Sequence, residues 1–359
     1  MSNKSPAFIT LPLLVAPPSP IGWHQVSAPG GYETWRFEAE DAAGEYRLLA
    51  ELVQGCCYHR RYYTAYRAYR HRPTRIAPPV PSDWPCIHLW LYRRGELAAS
   101  FVSEHAAGEF SASVNNGDVA IGSSRATHRA DGSIELALRR GPSTQNGSGI
   151  ATTLEFVPQG KLPVVQSPLF PRALRPLASP TRWGGEHWWL ATAPRCQVRG
   201  SIQLHEAHAP DAPQVIQFTG RGYCDRTFGT APPGRGLKRM MRGRLLLEDR
   251  SLVFQLAMAA RSHRTVAHLL EADATAATMR PASVSVRWDG RTPMQMRYPT
   301  HIAFEEAGVQ LVNPTLLAVQ PYGMHLQYEL AGRNAETAFC EIVYPRRLRW
   351  PGVNQLLVR

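Results

Sequence analysis

The sequence predicts an all-β protein built from antiparallel strands. Short runs that alternate apolar and polar residues recur along the chain and end at turn residues, as in YETWRFEAED and CIHLWLYRRG. Pairs of such runs meet at three predicted hairpin turns, near Asp131-Gly132, Asp249-Arg250 and Asp289-Gly290. Many short strands with turns at this spacing are typical of antiparallel sandwiches and barrels.

A proline-rich stretch near the middle of the chain predicts two domains. It reads LPVVQSPLFPRALRPLASP and spans residues 162–180. Because proline cannot donate a ladder hydrogen bond, it is excluded from central strands and is common in linkers. At 359 residues the chain is also long for a single domain. We therefore predict one β-domain over residues 20–165 and a second over residues 180–350.

Composition limits the class of protein without fixing its function. Hydrophobic residues make up 44% of the chain, enough to fill two cores, and the net charge is +12. A basic surface attracts anionic partners such as nucleic acid or an anionic membrane, but charge alone does not select one. No apolar run approaches the ~20 residues that cross a bilayer. We expect a cytoplasmic protein, with peripheral membrane contact left open.

The six cysteines predict neither a disulfide framework nor a metal site. They show no CxxC pair and no cysteine–histidine spacing of the zinc-binding kind. In a chain of this length we interpret them as reduced thiols of a cytoplasmic protein. The histidines form no HxH, HxxxH or HExxH pattern. We therefore predict no metal and no cofactor.

The segment CCYHRRYYTAYRAYRHRP interleaves tyrosines with arginines over residues 56–73. Basic residues with aromatic rings are typical of single-strand nucleic-acid binding, but no RNA-binding signature accompanies them. The alternative is that the tyrosines line an apolar pocket while the arginines face water. We favour this alternative, expect no nucleic-acid partner, and place Tyr62 and Tyr66 on the buried face of a short helix.

The stretch QFTGRGYCDRTFGTAPPG contains the principal candidate for chemistry, Asp225. On a strand, Tyr223, Asp225 and Thr227 share one face, and the residues between them share the other. Asp225 is either an acid with a chemical role or an aspartate of a turn or ion pair. If Arg226 curled back to pair with it, the carboxylate would stay charged and could not donate a proton.

A second cluster, GGEHWWLATAP, opens the predicted second domain. On a strand, His187 and Trp189 point one way and Trp188 the other. These rings form either ordinary core or the wall of a ligand cavity.

Together these segments resemble the carotenoid 1,2-hydratase (hydroxyneurosporene synthase)-like family of the lipocalin-like, AttH-like superfamily. The resemblance rests on EHWWLATAPRCQV, on QFTGRGYCDRTFGTAP and on GGYETWRFEAEDAAGEYRLLAELVQG, and covers residues 30–261. It implies two lipocalin-like antiparallel β-barrel or sandwich domains packed together. It also implies a cavity for an apolar polyene or terpenoid, and cofactor-free, acid-catalysed hydration of a C=C bond.

The resemblance also implies roles for individual residues. Asp225 would donate the proton, and aromatic faces such as Tyr223 and Trp189 would stabilise the cation by ~0.5–2 kcal/mol each. Where the family reads D-H-N-W-G, this chain has Arg226, Thr227 and Phe228 after the acid, so Thr227 would position the water. The predicted catalytic residues are Asp225 and Tyr223, and the predicted substrate-binding residues are Trp188, Trp189, His187, Thr227, Phe228, Tyr62 and Tyr66.

Two other functions fit the same predicted fold. The first is a pericyclase, isomerase or cyclase that folds a polyene without an essential acid. The second is a non-catalytic lipid or terpenoid carrier that docks on anionic membranes through its basic surface. Asp225 separates them, because only hydration requires its proton.

Overall fold

The structure is a computed structural model that describes residues 19–56, 58–140, 149–159, 165–168, 187–206, 209–232, 237–259, 265–333 and 336–349. Antiparallel strands dominate these ranges, as predicted. The strands up to the middle of the chain are β1 Tyr32–Asp41, β2 Tyr46–Gln54, β3 Cys86–Arg93, β4 Glu96–Glu104, β5 Phe110–Ala112, β6 Val119–Ile121, β7 Ser124–His128, β8 Ile134–Arg140, β9 Gly149–Pro158, β10 Val165–Pro168, β11 His187–Glu206 and β12 Ala209–Gly229.

The later strands follow the same antiparallel pattern. They are β13 Leu237–Leu246, β14 Ser251–Ala259, β15 Thr265–Ala272, β16 Ala277–Pro281, β17 Ser285–Arg287, β18 Gly290–Arg291, β19 Arg297–Tyr298, β20 His301–Phe304, β21 Val309–Gln320, β22 Gly323–Leu330 and β23 Thr337–Val343. The helix α1 spans Arg60–His71.

Two large sheets contain nearly all of these strands. Within the described ranges, the first sheet has the order β4-β3-β2-β1-β12-β11-β9-β8-β7-β6-β5, with β10 paired to β11. The second sheet has the order β16-β15-β14-β13-β23-β22-β21-β20-β17. Each sheet curls around its own apolar core, so the predicted all-β, lipocalin-like fold class is confirmed.

Strict alternation decides which face of β1 enters the first core. Trp35, Phe37 and Ala39 are buried in that core, together with Leu48, Leu89 and Phe218 from neighbouring strands. The residues between them on β1 point to the opposite face of the sheet. That face is not exposed to solvent, because the second sheet packs against it.

The chain passes from the first sheet to the second at a different place from the predicted linker. Strands β11 and β12 lie after the proline-rich stretch, yet both pair within the first sheet. The change of sheet falls between Gly229 and Leu237. The domain bounds 20–165 and 180–350 stay a prediction. Of the proline-rich stretch, only β10 lies within the described residues, where it pairs with β11.

Two of the three predicted hairpins are confirmed and the third is wrong. Strands β7 and β8 pair across the Asp131-Gly132 turn, and β13 and β14 pair across Asp249-Arg250. Gly290, by contrast, lies within a strand and pairs with Tyr298. A Cβ at this position would lie 2.2 Å from the Tyr298 ring, so the glycine serves close approach of the ring and not a turn.

Helix α1 accounts for the tyrosine- and arginine-rich segment. Its buried residues are Tyr62, Tyr63 and Tyr66, while Arg60, Arg61 and Arg67 are exposed. This is the predicted division of tyrosines inside and arginines in water. Helix α1 is too short and too polar to span a membrane. No other helix in the described part of the chain is long and apolar enough to do so.

Candidate active site between the two sheets

A row of polar residues crosses four adjacent strands of the first sheet on the face that the second sheet covers. Asp225 on β12 lies opposite Arg36 on β1, Arg36 lies opposite Glu51 on β2, and Glu51 lies opposite His88 on β3. All four residues are buried. We call these four residues the polar row.

The second sheet supplies a facing row. Arg242 on β13 lies opposite Glu341 on β23, and Glu341 lies opposite His325 on β22. The two rows make contact through Arg36, whose Nη1 donates to Glu51 at 2.7 Å and to Glu341 at 2.8 Å. A second link joins Arg244 to Glu38 at 2.6 Å. Charged side chains therefore hold the two sheets together at the site.

Asp225 is bound by two aromatic donors. Its Oδ2 accepts hydrogen bonds from the Tyr223 hydroxyl at 3.0 Å and from Trp189 Nε1 at 3.1 Å. Its Oδ1 is buried and accepts no hydrogen bond from the residues that the structure describes. The two oxygens of the carboxyl group therefore differ in their surroundings.

Apolar side chains surround the aromatic half of this arrangement. Trp189 and Tyr223 pack with Leu237, Met240 and Val253 of the second sheet. Burial, reinforced by the Asp225 carboxylate, raises the pKa of Tyr223 well above its usual value. Tyr223 therefore remains a phenol that donates its proton to Asp225 Oδ2.

Arg226 does not pair with Asp225. It lies on the opposite face of β12, where Nη1 donates to the Gly22 carbonyl at 3.0 Å and Nη2 to the Gly117 carbonyl at 2.8 Å. Its guanidinium also lies over the Trp35 ring, with 5.0 Å to the centroid. The ion pair that would have kept Asp225 charged is therefore not formed with its neighbour.

The remaining charges near Asp225 belong to Arg36 of the polar row and to Arg242 and Arg244 of the second sheet. The nearby Asp225 carboxyl group acts to raise the pKa of Arg36, Arg242 and Arg244. Burial lowers the pKa of Arg36, but Glu341, Glu38 and Glu51 outweigh burial and raise it well above its usual value. Arg36 is thus a permanent cation in the middle of the site.

A small cavity lies between the sheets and is lined in part by Thr227, which shares a face of β12 with Asp225. Its volume is about 40 Å³, and its lining includes Tyr32, Thr227, Arg242 and Tyr322. Thr227 Oγ1 accepts a hydrogen bond from Arg242 Nη2 at 3.4 Å. A cavity of this size accommodates water and not a larger ligand.

Other predicted site residues lie around this centre at varying distances. Trp188 and Phe228 belong to a cluster on the far face of the first sheet, where Phe228 stacks on His24. His187 Nδ1 contacts the Tyr32 hydroxyl at 3.1 Å, next to the cavity. Of the predicted set, Asp225, Tyr223 and Trp189 come together, and Thr227 lines the adjacent cavity.

The two tyrosines predicted from helix α1 lie outside the cavity lining. Tyr62 donates its hydroxyl proton to the Gly31 carbonyl at 2.8 Å, and Tyr66 packs against Leu348. The tyrosine of this segment that reaches the cavity is Tyr58, which stacks on Tyr322 with ring centroids 5.1 Å apart.

Sequence reasoning missed the charged part of the site and a cysteine–histidine cluster beside it. Cys56, Cys86 and His88 are buried with their ligand atoms all within 4.8 Å of one another. A hydrogen bond with Cys86 and the charge of His88 lower the pKa of Cys56 well below its usual value. The available signal was the Cys86-x-His88 spacing, which places both side chains on one face of a strand.

Comparison with proteins of known structure identifies the fold. An AttH-type protein from Nitrosomonas europaea has a TM-score of 0.61 at 15% identity, covering 91% of this chain and 96% of its own. The chain has the AttH-like fold. CghA in complex with Sch210972 has a TM-score of 0.53 at 10% identity, covering 89% of both chains. Kievitone hydratase from Nectria haematococca has a TM-score of 0.51 at 10% identity, covering 93% of this chain and 96% of its own.

At the level of sequence, this chain is similar to hydroxyneurosporene dehydrogenase of Chlorobaculum tepidum. The identity is 25% over 244 residues, which is 65% of this chain and 58% of that protein. No protein-family profile matches the chain. The predicted resemblance to the AttH-like, carotenoid-hydratase-like family is confirmed by these comparisons.

Proposed function

We propose that this AttH-like protein is an enzyme that adds water to a C=C bond of an apolar isoprenoid or polyene by acid catalysis. The observation that carries the proposal is the asymmetry of Asp225. Oδ2 accepts hydrogen bonds from Tyr223 and Trp189, whereas the buried Oδ1 accepts none from the described residues. A protonated Asp225 would carry its transferable proton on Oδ1, and the two donors at Oδ2 would stabilise the carboxylate left after the transfer.

The proposed reaction follows from this geometry. The O–H bond at Asp225 Oδ1 breaks as the proton forms a C–H bond with the less substituted alkene carbon, leaving a cation at the other carbon. Water adds to that cation and returns a proton to the carboxylate, so the net change is addition of H and OH. Tyr223 and Trp189 stabilise the carboxylate produced in the first step through their hydrogen bonds.

The surroundings of Asp225 suit both partners of this reaction. The Tyr223 and Trp189 rings are aromatic groups of the kind that stabilise a carbocation, and the Arg244 guanidinium, 5.8 Å from the Tyr223 centroid, would have to move for a substrate cation to take its place. The cavity lined by Thr227 and Arg242 has room for the attacking water. A polyene does not fit the roughly 40 Å³ of this cavity, so a substrate that approached Asp225 through it would have to separate the sheets locally.

The comparisons support the substrate class and the reaction type. One structural neighbour is a hydratase, and the similar curated protein acts, by its name, on hydroxyneurosporene. Its name also specifies a dehydrogenase, a different reaction on that carotenoid. The site described here offers a carboxylic acid, so we assign hydration and not oxidation.

The test is hydration of an acyclic carotenoid with a terminal isoprenoid double bond, supplied in detergent micelles with isotopically labelled water. We expect a hydroxylated product that carries the label. Asp225→Asn should lower the rate by about 10²–10⁴-fold, the usual contribution of a general acid. Tyr223→Phe keeps the ring, so we expect a smaller loss from removal of one hydrogen bond.

Asp289→Asn is the matched control, because this aspartate is exposed and distant from the site. Circular dichroism establishes that each variant is folded. Conversion of a polyene without label uptake, unchanged in Asp225→Asn, would favour a pericyclase, isomerase or cyclase. Tight polyene binding without turnover would favour a carrier.

A further inference from the structure

Strand pairing brings Cys56 to Cys86 and His88, which lie some 30 residues later in the sequence. Cys56 follows the end of β2, and Cys86 and His88 lie at the start of β3. In this antiparallel pair Val53 lies opposite Cys86, and Glu51 opposite His88, so the three side chains meet at one end of the ladder. All three are buried, and Cys56 and Cys86 share an apolar cluster.

The two sulfur–nitrogen distances within this cluster match a tetrahedral metal site. His88 Nε2 lies 3.5 Å from Cys56 Sγ and 3.5 Å from Cys86 Sγ. With zinc–sulfur bonds of about 2.3 Å and zinc–nitrogen bonds of about 2.0–2.1 Å, a tetrahedral angle separates sulfur from nitrogen by about 3.5 Å. A single ion between the three atoms therefore requires little rearrangement.

The other ring nitrogen of His88 is held by a carboxylate. Nδ1 lies 3.1 Å from Glu51 Oε2, and Glu51 is in turn held by Arg36. In metalloproteins such a carboxylate fixes the orientation of a histidine ligand and increases its basicity. The cluster thus has an outer support as well as its donor atoms.

We propose that Cys56, Cys86 and His88 bind one zinc ion. Two thiolates and an imidazole are ligands that zinc prefers, and they bind it in tetrahedral geometry. Cys56 and His88 also line the cavity between the sheets, so the fourth ligand is a water from that cavity. This site is separate from the proposed hydration, whose proton comes from Asp225.

The first test is metal content and coordination in the wild-type protein. The full chain is purified under reducing conditions, stripped with a chelator and reloaded with zinc or with cobalt(II). We expect one metal ion per chain, and a near-ultraviolet thiolate-to-cobalt charge-transfer band together with visible bands of tetrahedral cobalt. X-ray absorption at the zinc edge should give two sulfur neighbours, with nitrogen and oxygen completing the shell.

Variants assign the ligands. Cys56→Ser and Cys86→Ser should each weaken the cobalt band and lower zinc affinity at least tenfold. Cys340→Ser is the matched control, because Cys340 is equally buried but lies in the core of the second sheet. It should retain the wild-type band.

Several results would overturn the proposal. These are wild-type protein without a thiolate–cobalt band, a zinc-edge spectrum without sulfur, and a band that both cysteine variants retain. Mass spectrometry that finds a disulfide between Cys56 and Cys86 after reducing purification would overturn it as well. The wild-type measurements decide the matter even if a serine variant fails to fold.

Discussion

At the scale of single residues, Arg36 is a buried cation at the contact between the two sheets. Its side chain is fully buried and pairs with Glu38 at 2.5 Å, Glu51 at 2.7 Å and Glu341 at 2.8 Å. A buried ion pair gains little over a hydrophobic pair of the same shape, but removing one partner leaves an uncompensated charge. Here one cation is shared by carboxylates from three strands.

Arg36→Met should therefore destabilise the protein strongly. We expect the free energy of unfolding to fall by about 3–5 kcal/mol, the range for breaking a buried pair. Urea denaturation followed by tryptophan fluorescence measures it. Arg93→Met is the control, because Arg93 is an exposed partner of Glu45 and its loss should change stability little. Equal stability of the two variants would contradict this account.

The residue-scale predictions succeeded where local alternation was sufficient. Alternation placed Tyr223, Asp225 and Thr227 on one face of β12. It also placed Trp189 and Trp188 on opposite faces of β11. It could not reveal Arg36 or Glu341 as site residues, because alternation does not distinguish a face in water from a face under a second sheet. That distinction depends on contacts between residues some 300 positions apart.

At the scale of elements, glycines in strands mark close approach between side chains and backbone. Gly243 on β13 lies opposite Phe254 on β14. A Cβ added at Gly243 would lie 2.0 Å from Phe254 Cζ, and Phe254 is itself buried in the second core. The ring thus covers the bare glycine backbone.

Gly243→Ala should consequently strain the β13–β14 hairpin. We expect a loss of about 1–3 kcal/mol, as for other insertions into a packed core. The double variant Gly243→Ala/Phe254→Leu provides the matched test, because removing the ring removes the clash. The double variant should be more stable than the sum of the two single effects predicts, and strict additivity in thermal unfolding would argue against the contact.

The sequence could predict those elements whose signals are local. Strand β1 occupies the predicted run from Tyr32 to Asp41, since alternation and flanking turns are local signals. The Asp289-Gly290 turn was wrong because a glycine under a tyrosine ring has the same sequence signature as a glycine in a turn. The cysteine–histidine cluster was missed because strand pairing, and not spacing, brings Cys56 to His88.

At the scale of the whole molecule, the contact between the two sheets is unusually polar. Carboxylates and arginines meet there, but so do aromatic rings: Tyr92 and Trp90 of the first sheet surround His325 of the second. The Tyr92 hydroxyl bonds to His325 Nδ1. Because this interface joins the sheets, its protonation state bears on the stability of the entire fold.

His325 makes that dependence testable. Burial lowers the pKa of His325 from 6.5 to about 4, although Glu341 opposes the shift. Other charged groups around it are Arg36, Glu51 and Arg244. Above pH 6.5 the imidazole is neutral in both states, so it adds no pH dependence. Between pH 6.5 and pH 4 the unfolded chain binds a proton that the folded protein excludes, so stability is lost as the pH falls.

The expected loss due to His325 is about 2 kcal/mol between pH 7.5 and pH 5, from the difference in pKa. His128, whose pKa burial also lowers to about 4, adds a decline in the same window. Urea unfolding at the two pH values should show that His325→Gln has a shallower decline than the wild type, whatever its stability at pH 7.5. Identical declines would mean that the interface takes up a proton without separating, and that His325 does not couple the sheets to pH.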